Sequence, residues 1–78
     1  MNVFESIRDL ISEQFDVDAE TITEDTDFLD DLDADSLDVV ELAMGMEEVF
    51  GIPEIKEDEI RTIRTVGDLV AYVNGVLG

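Results

Sequence analysis

The fold is decided by residues 35–50, DSLDVVELAMGMEEVF, where a cluster of acidic side chains gives way to an apolar run. The spacing predicts a helix from Ser36 to about Phe50, with Asp35 as its N-cap. Asp38 falls in the first turn, where the helix dipole favours a carboxylate. The rest of the chain is expected to pack around this helix.

The predicted helix carries two apolar stripes on opposite sides. At about 100° per residue, the expected core face comprises Val39, Leu42, Met46, Val49 and Phe50. The second stripe comprises Leu37, Val40 and Met44, with a rim formed by Glu41, Glu47 and Glu48. Scattered exposed apolar residues are normal, so this stripe has two interpretations. It is either incidental, or a docking patch that offers an apolar centre and a negative rim to a basic partner.

Three further helices are expected in the flanking segments. The first runs from Asn2, its N-cap, to about Phe15, and a short one lies within residues 57–63. The last begins near Thr65, with Asp68 completing a capping box. The apolar stripe of the first helix comprises Val3, Phe4, Ile7, Leu10, Ile11 and Phe15, and that of the last comprises Leu69, Val70, Val73, Val76 and Leu77.

A long segment without helical periodicity joins the first helix to the second. Residues 16–35 contain scattered apolar side chains, which predict a loop pinned onto the helices, with a short helical turn near residues 19–22. Gly51 is a suitable helix end. The expected fold is all-α: a small antiparallel four-helix bundle, with three main helices and one short helix, in a single domain spanning residues 1–78.

Charge and composition restrict the function. Twenty-two acidic residues face four basic ones, for a net charge of −18, and seventeen of the acids lie between Arg8 and Lys56. This charge disfavours binding to nucleic acid and to anionic membranes, and it favours binding to basic partner proteins. The chain has no Cys and no His, so disulfides and the usual general base are absent. No segment resembles a membrane span or a secretion signal, which predicts a soluble, cytoplasmic protein. It is expected to be a monomer.

Ser36 has several possible roles at the helix start. Catalysis is disfavoured, because no His and no Gly-x-Ser-x-Gly elbow accompanies it. A calcium loop beginning at Asp31 is disfavoured too, since its sixth position is Ser36 instead of Gly and its twelfth is Leu42 instead of Glu. Only weak, nonspecific divalent binding is expected. Two interpretations of Ser36 remain. It is either an ordinary residue of a helix N-terminus, or it carries a phosphate-bearing modification that the helix N-terminus stabilises.

The sequence closely resembles the acyl carrier proteins. The resemblance lies in residues 31–42, DLDADSLDVVEL, residues 47–50, EEVF, and residues 65–68, TVGD, and it extends to length, acidity and helix order. It implies a four-helix bundle whose Ser36, flanked by Asp35 and Leu37, receives 4′-phosphopantetheine from coenzyme A through a separate phosphopantetheinyl transferase. The thiol of that arm would carry acyl groups as thioesters, so the chain would be a carrier and not an enzyme.

The resemblance also assigns surfaces. A recognition helix for acyl-processing enzymes with basic docking surfaces would use Leu37, Asp38, Val40, Glu41, Met44, Glu47 and Glu48. A cavity for the acyl chain would be lined by Phe28, Leu32, Leu42, Met46, Ile63 and Leu69.

Departures from the family pattern leave the pathway open. Asp33 stands where many members have Gly, Gly45 is expected to loosen the recognition helix, and the segment 51–64 is about one residue longer than in common members. The expected function is a free-standing carrier in fatty-acid synthesis. Its alternatives are a carrier dedicated to a polyketide, lipid-modification or aminoacyl pathway, or a small acidic interaction protein that binds divalent cations.

Overall fold

The computed structural model describes residues 2–77, which form four helices and no strand. The helices are α1, Val3–Phe15, α2, Ser36–Phe50, α3, Glu57–Ile60, and α4, Val66–Leu77, with a short 3-10 turn at Ala19–Thr21. Helix α1 packs against both α2 and α4, and α2 also contacts α3. The predicted bundle of three main helices and one short helix is confirmed.

Local side-chain chemistry fixes the helix ends. Asn2 Oδ1 accepts from the Glu5 N–H at 3.2 Å and caps α1. At α4, Thr65 Oγ1 accepts from the Asp68 N–H at 3.2 Å, while Asp68 Oδ2 accepts from the Thr65 N–H at 3.1 Å. Helix α2 ends at Gly51, whose φ of 63° lies in the left-handed region that glycine adopts without strain.

One core lies between the three longer helices. The side chains that are almost completely buried come from α1, α2 and α4 and are Ile7, Ile11, Leu42, Met46, Val66, Leu69 and Val73. Each is expected to contribute roughly 1.5–3 kcal/mol of transfer free energy. The core therefore depends on the apolar periodicity that the sequence shows.

Three residues assigned to the core face are exposed, and those predictions were wrong. Val49 is 47% exposed, because it lies in the last turn of α2, at the edge of the helix face that packs against the core. The other edge of that face is formed by Ala43, which is buried. Val76 and Leu77 are 41% and 52% exposed. The buried stripe of α4 ends at Val73, so its final turn extends beyond the core.

The long loop is pinned to the start of α4 by backbone hydrogen bonds. The Phe28 N–H donates to the Arg64 carbonyl at 2.9 Å, and the Val66 N–H donates to the Thr26 carbonyl at 2.9 Å. Ile22, Phe28 and Ala34 bury their side chains, as a pinned loop requires, whereas Leu29 is exposed. The part of the loop that precedes α2 is thereby held against the helices.

Gly67 lets the loop approach α4 closely. Its N–H donates to the Glu24 carbonyl at 2.8 Å, and a Cβ added at Gly67 would lie 2.9 Å from the same oxygen. We expect Gly67→Ala to lower the free energy of unfolding by about 1–3 kcal/mol, because backbone atoms must move apart. Urea denaturation measures this change.

Gly45 provides the matched control. A Cβ there would lie 3.9 Å from Leu10 Cδ2, an ordinary contact, so Gly45→Ala is expected to raise the free energy of unfolding by about 0.5–1 kcal/mol. Equal urea midpoints for Gly67→Ala and the wild type would contradict the close approach.

Candidate functional site

Ser36 is the first residue of α2, and its hydroxyl is not used to build the helix. Asp35 Oδ1 accepts from the Asp38 N–H at 2.9 Å, and Asp38 Oδ2 accepts from the Asp35 N–H at 3.1 Å. These two carboxylates form the complete capping box. The Ser36 side chain is exposed and makes no hydrogen bond within residues 2–77. The two aspartates therefore cap the helix, and the Ser36 hydroxyl is free.

The segment before Ser36 is held in a fixed conformation. The Ala34 N–H donates to the Phe28 carbonyl at 2.8 Å, and the Ala34 side chain is buried. Asp33 has a φ of 52°, in the left-handed region that glycine adopts without strain and that aspartate tolerates. The entry to α2 is thus set by backbone geometry on one side and by the capping box on the other.

An apolar depression of about 330 Å³ lies beside Ser36, and we call it the Ser36 depression. Its apolar lining comprises Phe28, Leu29, Ala34, Val39, Ile60 and Ile63. Asp35, Ser36, Arg61 and Arg64 complete it. The walls come from the loop, from α2 and from the α3–α4 connection, so residues distant in sequence meet at the free hydroxyl.

The six residues assigned to an acyl cavity lie in three places. Phe28 and Ile63 line the Ser36 depression, whereas Leu32 lines a separate depression of about 390 Å³ on the loop. Leu42, Met46 and Leu69 are buried in the core. Sequence reasoning missed Ile60, whose apolar character in the short α3 segment was the available signal.

The predicted docking stripe on α2 is largely exposed. Leu37 and Met44 are 63% and 61% exposed, and Val40 is partly buried. Next to this stripe lies a crevice of about 220 Å³, lined by Val40, Ala43, Met44, Glu47, Glu54, Ile55 and Ile60. The exposed stripe is therefore continuous with a shallow cleft between α2 and the segment that contains α3.

The carboxylates around the stripe differ in what they contact. Glu41 and Glu48 are exposed and form no ion pair or hydrogen bond through their side chains within residues 2–77. Glu47 Oε2 accepts from the Ile55 N–H at 3.0 Å, and Asp38 Oδ2 accepts from the Asp35 N–H at 3.1 Å in the capping box of α2. Two of the four carboxylates thus support the fold, while Glu41 and Glu48 are fully available to a partner.

The acidic loop does not assemble a metal centre. Within the described range no group of three carboxylates is arranged to hold a metal ion. Asp31 Oδ2 accepts from the Asp27 N–H at 2.7 Å, and Asp35 caps α2, so two of the three aspartates of the calcium-loop pattern serve the backbone.

Asp27 links the loop to the α3–α4 connection. Its Oδ1 accepts from the backbone N–H groups of Leu29 and Asp30, and its Oδ2 accepts from Arg64 Nε at 2.9 Å. The Asp30 N–H and then the Arg64 guanidinium hold the pKa of the Asp27 carboxyl below its ordinary value of 3.8. The ionised form of Asp27 therefore stabilises this edge of the Ser36 depression.

We expect Asp27→Asn to lower the melting temperature at pH 7 by a few degrees. The lowered pKa means that the stabilisation is present above pH 3.8 and is lost as the pH falls through the folded-state value. The melting curves of variant and wild type should therefore converge below pH 3.8. Asp9→Asn serves as the control, because Asp9 pairs with Arg8 on the surface and such pairs contribute little. A pH-independent difference for Asp27→Asn would contradict the assignment.

Comparison with known proteins identifies the family. A family model described as a phosphopantetheine attachment site matches residues 5–73. An acyl carrier protein from Lactobacillus acidophilus is 49% identical over 76 residues, which cover 97% of this chain and 94% of the relative. The chain belongs to the acyl carrier protein family. The cofactor inferred from the resemblance, phosphopantetheine, is confirmed for this domain by the match to the attachment-site family.

Solved structures of acyl carrier proteins share this fold. One from Thermotoga maritima has a TM-score of 0.78 and 36% identity, over 92% of this chain and 82% of the other. One from Enterococcus faecalis has a TM-score of 0.78 and 35% identity, over 95% and 92%. Members of this family carry acyl groups and do not catalyse their reactions. None of the helices within residues 2–77 has both the length and the hydropathy to cross a membrane.

Proposed function

We propose that this protein is an acyl carrier of fatty-acid synthesis, with 4′-phosphopantetheine attached to Ser36. The observation that carries the proposal is the free Ser36 hydroxyl, exposed at the start of α2 beside an apolar depression. The residues present fit the group. Capping by Asp35 and Asp38 leaves the serine oxygen available to an incoming phosphate, and the loss of that hydroxyl to a phosphodiester disturbs no helix contact.

The chain acts as the substrate of a separate phosphopantetheinyl transferase. The chain has no His, and the carboxylates of Asp35 and Asp38 are engaged in the capping box, so we expect the transferase to provide the base that removes the proton from Ser36 Oγ. When bound, the arm supplies a thiol that holds acyl groups as thioesters. The roles of the chain are to present the hydroxyl, to shelter the acyl group and to bind each enzyme in turn. It does so as a cytoplasmic monomer.

The acyl chain enters through the Ser36 depression. At about 330 Å³ this space is at the lower end of the roughly 300–1,000 Å³ range of ligand pockets. Phe28 and Ile63 contact the first part of the chain. Longer chains require the depression to deepen toward the buried residues Leu42, Met46 and Leu69, and toward Leu32.

Partner enzymes dock on the exposed face of α2. Leu37, Val40 and Met44 provide the apolar centre, and Asp38, Glu41, Glu47 and Glu48 provide the negative rim. Complementary basic surfaces on the partners would accelerate encounter and set the orientation in which Ser36 faces the active site.

The pathway is tested with the holo form. Holo protein is incubated with malonyl-coenzyme A and a malonyl transferase of fatty-acid synthesis, and intact mass records the gain of one malonyl group. Elongation by purified fatty-acid synthesis enzymes is then followed by the same method. Formation of holo protein without malonyl transfer or elongation would exclude fatty-acid synthesis and favour a dedicated pathway. Stoichiometric, micromolar calcium binding to a chain that never becomes holo would favour the interaction protein.

A further inference from the structure

Two of the four basic residues of this acidic chain border the same space. Arg61 and Arg64 both line the Ser36 depression. Arg8 lies on α1, where its guanidinium contacts Asp9 and lies 6.0 Å from the centre of the Phe4 ring. In a protein of net charge −18, cationic side chains on the wall next to a free serine provide a local field of opposite sign.

The two arginines are held differently. Arg64 is fixed, because its Nε bonds Asp27 at 2.9 Å and its Nη2 lies 3.6 Å from Asp30. Arg61 pairs with Glu57 at 3.0 Å, and both of these side chains are about three-quarters exposed. An exposed ion pair of this kind contributes little free energy, so Arg61 can readily leave Glu57 for a stronger acceptor. A guanidinium has five donors, and both arginines retain N–H groups for a further anion.

A phosphodiester on Ser36 would be stabilised by such a field. Its charge lies beside Asp35 and Asp38, and like charges at this distance repel one another. Arg61 and Arg64 line the same depression as Ser36, and guanidinium groups bind phosphate oxygens well.

We propose that Arg61 and Arg64 form an anion subsite that holds the phosphodiester of the 4′-phosphopantetheine arm. The proposal rests on the attachment of that arm to Ser36. Arg64 provides a fixed charge anchored by Asp27, and Arg61 provides a mobile one that leaves Glu57. Both are positioning residues: they direct the start of the arm over the apolar wall, toward Phe28 and Ile63, and away from the acidic face of α2.

The three arginines allow an internal comparison in one NMR experiment. Spectra of the Arg Nε–H groups are recorded for the 15N-labelled protein before and after modification, with complete modification verified by intact mass. We expect the Arg61 and Arg64 signals to move and the Arg8 signal to stay. Arg61→Gln and Arg8→Gln assign the three signals. The holo form without cargo carries the phosphodiester as its only new anion, so the movement reports on that group.

The second readout is the phosphorus resonance of the holo protein. Arg61→Gln is expected to shift the 31P signal relative to the wild type, whereas Arg8→Gln, with the same change in net charge, leaves it in place. Arg61 is exposed and lies outside the core, so the variant should fold, and its amide spectrum verifies this.

Specific outcomes would overturn the subsite. Unmoved Arg61 and Arg64 signals on a fully modified chain would do so, as would equal movement of all three arginines, or equal 31P shifts in both variants. Failure to gain the mass of the arm would instead contradict the attachment at Ser36 itself. The two failures are therefore distinguishable.

Discussion

Ser36→Ala is expected to abolish the gain of one phosphopantetheine when the apo protein is incubated with coenzyme A and a broad-specificity phosphopantetheinyl transferase. Intact mass measures the loss, which should be complete, because no other hydroxyl lies at the start of α2 beside the Ser36 depression. The structure predicts that the variant remains folded. Asp35 and Asp38 cap the helix without help from the serine, and alanine is the best helix former.

Ser6→Ala is the matched control for this experiment. Ser6 lies within α1 and is only partly buried, so the substitution removes a hydroxyl without reaching the candidate site. It should gain the full mass. Modification of Ser36→Ala at any site, or failure of the folded wild type to be modified, would contradict the attachment at Ser36. Circular dichroism of all three proteins verifies the fold.

The double substitution Glu41→Lys, Glu48→Lys is expected to lower kcat/KM for phosphopantetheinyl transfer by about 10- to 100-fold at low salt. Both glutamates are exposed and form no side-chain hydrogen bond or ion pair among residues 2–77, so the change acts on encounter with a basic partner instead of on the fold. Steady-state kinetics at increasing NaCl measure the effect. Screening should reduce the difference between variant and wild type, because the Debye length falls to about 3 Å at 1 M salt.

A control of equal charge separates docking from net charge. Glu13→Lys, Glu20→Lys reverses two exposed glutamates, one on α1 and one in the 3-10 turn. It alters the net charge by the same amount without touching α2. Equal losses of kcat/KM in the two double variants would contradict a docking face on α2 and would leave only a general electrostatic attraction.

The helix ends were predictable from the sequence because they depend on neighbours. Asn2, Asp35 and Thr65 each bond a backbone N–H three residues away, and the residues involved are visible in any short window of sequence. The same holds for the apolar stripes, whose period follows from the helix itself. Errors arose at Val49, which lies at the edge of the buried arc of α2, and in the last turn of α4, which extends beyond the core.

Contacts between residues far apart in the sequence were not predictable in the same way. Arg64 reaches Asp27 across 37 residues, and the Gly67 N–H reaches the Glu24 carbonyl, with no local pattern to signal either contact. The role of Glu47 was also only partly predictable. Helical spacing placed it on the docking face, but its hydrogen bond from the Ile55 N–H depends on the path of the chain after Gly51. Such contacts follow from tertiary packing.

The hydrogen bonds between the loop and the start of α4 have a kinetic consequence. They close a segment of roughly 40 residues, and the entropy of closing such a loop is about 3 kcal/mol, whereas the helices themselves form from local contacts. This closure is therefore expected late in folding, after α1 and α2 have formed. The same amides, at Phe28, Val66 and Gly67, should exchange with solvent through openings smaller than global unfolding. The part of the protein that borders the serine would then open while the three long helices stay packed.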